Sequence, residues 1–151
     1  YALRLGKEGV SASAKQAVLN ANYLLAKIRD IFEPAFGEHC MHEFVISLRD
    51  LKREHGVDAK QFSKALQDYG IHPPTMYFPL NVPEALMIEP TETESKEILD
   101  QYIDAMLKIA DEAENNPDIV REAPHNTIVR RPDEVQAARH PVLVWQREAD
   151  E

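Results

Sequence analysis

Apolar residues return at spacings of three and four through the first periodic stretch of the chain. Val18, Ala21, Leu25, Ile28 and Phe32 share one face, which predicts an amphipathic helix over 13–32. Pro34 and Gly37 end it. Asn20 and Asn22 interrupt an otherwise good helix sequence, and their modest propensity points to a packing or hydrogen-bonding role. Residues 41–48 alternate as a strand does, with His42, Phe44, Ile46 and Leu48 on one side and Met41, Glu43, Val45 and Ser47 on the other. Asp58 with Gln61 three residues on reads as a capping box. The helix it opens has the stripe Phe62, Ala65, Leu66 and Tyr69, and Gly70 suits its C-terminal cap.

After the rigid His72-Pro73-Pro74-Thr75 connection, residues 76–80 and 85–89 predict two short strands, bounded by Pro79, Pro83 and Pro90. A third helix follows, with Thr91 or Thr93 as N-cap and neighbouring carboxylates at the positive end of its dipole. Its buried face is Leu99, Tyr102, Ile103, Met106, Leu107 and Ala110, and it fades near Pro117. The order predicts an α/β (α+β) domain over 1–116, with about three strands packed against helices. Beyond it, Pro117, Pro124, Pro132 and Pro141 predict an irregular tail over 117–151 that packs on the body, and its apolar patch at 142–145 needs a partner surface.

Composition narrows the function classes. Seventeen Lys and Arg against 26 Asp and Glu leave a net charge of −9. That balance disfavours nucleic acid and an anionic membrane surface as partners. No apolar run approaches a bilayer span. The single cysteine, Cys40, fits a reducing compartment such as the cytoplasm. The chain opens at Tyr1 without a charged-then-apolar leader, so no signal peptide is expected, and such an opening suits a processed protein or a piece of a longer one. Neither phosphate-binding glycine motif occurs.

Candidate chemistry gathers at a few places. His39, Cys40, His42 and Glu43 resemble metal ligands in type. On a strand, however, His39 and His42 face opposite sides, so no metal is expected. His42 and Glu43 line a cleft or serve as an ordinary structural pair. His72 and Thr75 stand at a rigid bend that helix termination explains except for His72. The acidic corner over 89–94 reads as capping chemistry, apart from Glu89, which ends an apolar strand and aims at something specific. No nucleophile, base and orienting group form a visible triad.

Linked segments carry a likeness to a known family. They are Ala-Val-Leu-Asn-Ala-Asn-Tyr at 17–23, Cys-Met-His-Glu-Phe-Val-Ile at 40–46, Asp-Tyr-Gly-Ile-His-Pro-Pro-Thr at 68–75 and Ala-Leu-Met-Ile-Glu-Pro-Thr-Glu-Thr-Glu-Ser at 85–95. Ala-Pro-His-Asn-Thr at 123–127 and Pro-Val-Leu-Val-Trp at 141–145 add to it. Together they resemble the C-terminal part of glycine decarboxylase, the pyridoxal-phosphate P-protein of the glycine cleavage system, most of all its bacterial second subunit. The likeness covers nearly all of the chain except its acidic end at 148–151.

The resemblance implies the small C-terminal domain of an aspartate-aminotransferase-like enzyme. It further implies decarboxylation of glycine and transfer of the aminomethyl group to the lipoylated H-protein, with pyridoxal phosphate as electron sink. It implies as partners the N-terminal remainder, the first subunit and H-protein, in an oligomer. The family's Schiff-base lysine lies in a His-Lys pair, and no such pair exists here. Hence no catalytic residue is expected in this chain, no cofactor is expected on it alone, and the isolated chain is expected to be inactive. The expected cleft residues are His42, Glu43, His72, Thr75, Met87 and Glu89. A stand-alone, non-catalytic α/β interaction module is the alternative, suited by the tail around Trp145 and the missing lysine.

Met87 enters through the same likeness. In many related enzymes the strand matching 85–89 carries an arginine for the substrate carboxylate, and the Pro90-Thr91 pattern aligns that position with Met87. An ion pair would hold the carboxylate in its ground state, which a decarboxylase does not benefit from. In the complete enzyme, Met87→Arg is expected to lower kcat for decarboxylation more than it weakens glycine binding; steady-state kinetics giving the reverse would refute this.

Overall fold

The protein is described by a computed structural model over residues 1–145. The acidic end at 148–151, and with it the close of the expected tail, lies outside the described residues. Helix α1 (Ala2–Ile28) begins well before the expected start. Only its C-terminal half buries side chains, at Asn20, Ala21, Leu24, Leu25 and Ile28, so the earlier half lacks the apolar period that would have betrayed it. Phe32 lies past the helix end yet is buried, because the turn hydrogen bond from its N–H to the Ile28 carbonyl folds it inward.

Four strands form one antiparallel sheet in the order β1-β2-β4-β3: β1 (Glu33–Pro34), β2 (Phe44–Ser47), β4 (Ala85–Ile88) and β3 (Thr75–Met76). The expectation of a small α/β (α+β) domain with helices on a sheet is borne out. The sheet has four strands rather than about three because the two-residue β1, half of it proline, carries no strand period. All three expected strands are shorter than predicted, the last by Glu89 alone. The ladder begins only at Phe44, opposite Ile88, and just before the unpaired stretch 41–43 the Asn22 carboxamide takes both backbone groups of Cys40. β3 stops at Met76 because Tyr77 turns left-handed, with φ 58°.

Register sorts the sheet's two faces. Phe44 pairs with Ile88 and Ile46 with Leu86, and all four join the core. Val45, Met87 and Thr75 lie opposite one another on the other face. The core face is closed by α1, by α3 (Ala59–Asp68) and by α4 (Lys96–Asn115), so the domain is a two-layer α+β unit. Phe32 and Phe62 meet edge to face at 5.6 Å within it.

The capping box of α3 is present as expected: Asp58 Oδ1 accepts from the Gln61 N–H at 2.8 Å and Gln61 returns the bond to the Asp58 N–H. Gly70 follows that helix with φ 71°, the left-handed geometry of a C-terminal cap. The N-cap of α4, however, is Ser95 rather than Thr91 or Thr93. The two threonine hydroxyls bond each other instead, inside the preceding corner.

Helix α2 (Arg49–His55) went unpredicted because it buries no side chain; its signal is charge alone, with Asp50 first and Lys52, Arg53 and His55 last. It ends at Gly56, where φ is 68° and a Cβ would stand 2.8 Å from the Arg121 guanidinium.

Two short helices, α5 (Pro117–Glu122) and α6 (Glu134–Arg139), lie beyond α4. Arg130 and Arg131 turn back to donate to the carbonyls of residues 121–124, closing that loop on itself. Residues 142–145 are exposed. Removing the ring at the centre of the core, Phe62→Ala, is expected to cost about 3–5 kcal/mol. A lower denaturant midpoint at constant slope would register it, and an unchanged midpoint would contradict this core.

Candidate functional site

An open cleft of about 850 Å³ lies at the β3 edge of the sheet. Its walls are the connection after α3, the carboxyl end of β4 with the corner over 89–94, and the first turns of α4. Three polar clamps hold backbone segments in and around these walls. Asn20, buried on α1, donates from Nδ2 to the Thr91 carbonyl at 2.9 Å and the Glu94 carbonyl at 3.2 Å. Asn22 does the same for Cys40, donating to its carbonyl at 2.7 Å and accepting from its N–H at 3.1 Å. Asp68, at the end of α3, accepts from the backbone N–H of His125 and Asn126 at 2.6–2.8 Å, tying the 123–127 segment beside the cleft. Burial pushes the Cys40 thiol above its usual range, so it stays protonated.

His72, Thr75, Met87 and Glu89 line this cleft. Thr75 and Met87 arrive there because they face each other across the β3–β4 ladder. His42 does not line it, but its Nε2 lies 4.0 Å from the Glu89 carboxylate. Both side chains are more than half exposed, so the pair contributes little to stability. Glu43 is half-buried and outside the lining.

Sequence reasoning missed the α4 wall. Ile98, Gln101, Tyr102, Ala105 and Lys108 recur at helical spacing and face the cleft. They form the boundary between the buried and solvated stripes of α4, where polarity changes gradually and marks no site. Tyr102 was expected in the core; its hydroxyl is buried and has no hydrogen-bond partner among the described residues. Burial pushes its ionisation far above the usual phenol range.

Tyr69 stands at the rim. Burial, reinforced by the Glu112 carboxylate that its hydroxyl donates to at 3.2 Å, pushes its phenol up to about 12. The Lys108 ammonium sits 5.3 Å from its ring centre.

The titratable lining includes Glu89, Glu94 and Asp104 against a single ammonium, Lys108. That donor set does not fit the phosphate of pyridoxal phosphate, which needs cationic or clustered N–H donors. Among the described residues no three His, Cys, Asp or Glu side chains gather as a metal site requires. No helix among them is long and apolar enough to cross a membrane.

Comparison with known proteins gives consistent findings. Residues 13–133 match the family described as glycine dehydrogenase, C-terminal domain. A probable glycine dehydrogenase (decarboxylating) subunit 2 of Bacillus velezensis is 53% identical over 150 residues, covering 99% of this chain and 30% of that protein. The protein of the same description from Staphylococcus haemolyticus is 55% identical over 143 residues, 95% of this chain and 29% of its own length. That from Listeria innocua is 53% identical over 148 residues, 98% and 30% respectively. The chain thus spans about 30% of the length of the curated relatives it matches.

The rim tyrosine gives a pH signature. Its folded ionisation near 12 lies above the ordinary value of 10.0, so between these values the native chain keeps a proton that the unfolded chain releases. The stabilisation is complete below pH 10 and is lost as pH rises through about 12. Phenolate absorbance is expected to lose one component near pH 12 in Tyr69→Phe; an unchanged titration curve would contradict the burial of Tyr69.

Proposed function

The chain belongs to the glycine dehydrogenase C-terminal domain family, and from that premise we propose that it is the carboxyl-terminal part of a decarboxylating glycine dehydrogenase of the subunit 2 type. The observation that carries this reading is 53% identity over 99% of the chain. The complete enzyme decarboxylates glycine and hands the remaining aminomethyl group to a lipoylated H-protein. Its pyridoxal phosphate, when bound, supplies the electron sink. The acidic cleft lining supports holding that cofactor in the part of the enzyme beyond this chain. The partners are that remaining part, the first subunit and H-protein, in an oligomeric assembly. The setting is the bacterial cytoplasm, where a free thiol such as Cys40 persists.

This chain contributes one wall of the active site. His72 carries an imidazole at the cleft, a group suited to hold or move a proton near neutral pH. Glu89, with His42 beside it, supplies a carboxylate at the strand end, and Thr75 supplies a hydroxyl. Met87 keeps its position apolar where an arginine would trap the substrate carboxylate. Glu43 lies outside the cleft lining and is given no role. The alternative of a non-catalytic interaction module is not favoured, because relatives described as decarboxylating subunits match 98–99% of this chain.

The test uses exchange of labelled bicarbonate carbon into glycine. The complete subunit, with the first subunit, pyridoxal phosphate and H-protein, is expected to exchange, and the isolated chain with pyridoxal phosphate is not. In the complete enzyme, His72→Gln and Glu89→Gln are each expected to lower kcat by about 10²-fold. An active isolated chain, an inactive complete pair, or full rates in both variants would each overturn the reading.

A further inference from the structure

Residues 77–84 join β3 to β4 through a loop built in a costly way. Tyr77 and Glu84, at its two ends, are non-glycine residues with φ of 58° and 51°. Such left-handed geometry persists only where the surroundings enforce it, and it is found where strain serves a function. Here the enforcement is visible. The Tyr77 N–H donates to the Ala85 carbonyl at 2.9 Å, and the Leu48 N–H donates to the Glu84 carbonyl at 3.0 Å. The Glu84 carboxylate is almost buried between Lys52 and the Ala59 N–H, the latter at 3.0 Å. The Ser47 hydroxyl donates to the Pro83 carbonyl at 2.7 Å.

What this frame presents is apolar. Phe78 is 53% and Leu80 90% exposed, and residues 77–83 hold no charge in a chain that is 28% charged. A rigid, uncharged tip loses little conformational entropy on docking, which suits contact with an apolar surface. The loop also continues directly from β3, whose Thr75 lines the cleft.

We propose that the 77–84 loop is a preformed docking element whose tip, Phe78 and Leu80, is covered by the remaining part of the same polypeptide. This rests on the reading of the chain as part of a longer subunit. Two observations select that occupant. The chain spans about 30% of its relatives' length, so a body more than twice its size is present in them. The cleft beside the loop carries an acidic lining that does not fit the cofactor phosphate, so the missing wall approaches next to the loop. A second copy of this chain is disfavoured by its net charge of −9.

The experiment uses the complete subunit 2 polypeptide without its partners, at low concentration. Hydroxyl-radical footprinting reads oxidation of Phe78 and Leu80 in the unsubstituted protein, native against denatured. Alkylation of Leu80→Cys, read by peptide mass, gives a second measure under the same two conditions. Both are expected to be slowed by about tenfold or more in the native state. A smaller slowing in the footprint overturns the proposal. So does protection that appears only on adding the first subunit, or that grows with protein concentration. Because these rates report contact and the exchange assay reports chemistry, either reading can fail while the other stands.

Discussion

Two carboxamides on one helix turn hold the candidate site in shape. Asn20 and Asn22 sit in the C-terminal half of α1, and each directs its amide to the backbone of a distant loop. Asn20 draws together both ends of the 91–94 corner. Asn22 satisfies both backbone groups of Cys40. These bonds are partly withdrawn from water, and a net gain of about 0.5–1.5 kcal/mol for each offsets the modest helix propensity of asparagine. They tie down the approach to β2 and the corner between Glu89 and α4.

The sheet register then decides which chemistry meets. Because side chains alternate, the same pairing that sends Phe44, Ile46, Leu86 and Ile88 into the core turns Val45, Met87 and Thr75 to the other face. His72 arrives through the proline-stiffened bend, and Asp68 fixes the 123–127 segment beside it with three bonds from backbone N–H groups. The outcome is an open cleft whose lining is acidic where a phosphate group would need cations.

Legibility followed burial. Elements with a deep apolar stripe, such as the second half of α1, α3 and α4, were readable from periodicity, and the Asp58 capping box was readable from two residues. Elements held by something other than a stripe were missed. α2 buries nothing, and β1 is two residues long. The first half of α1 has no contacts that impose a period. Of the candidate residues, His72, Thr75, Met87 and Glu89 converge, since short strands and proline bends limit where they can go. His42 reaches the cleft only through Glu89, and Glu43 stays outside it.

The sequence by itself determined the class of fold, the core stripes and the family, because apolar period, capping pairs and motif order are local properties of the chain. Only the tertiary structure decided that Tyr69, Tyr102 and Lys108 join the cleft, that Ser95 rather than a threonine caps α4, and that Asn20 and Asn22 are clamps. Each of these depends on groups brought together from distant parts of the chain. A side chain at the edge of a helical stripe has no partner until the fold supplies one.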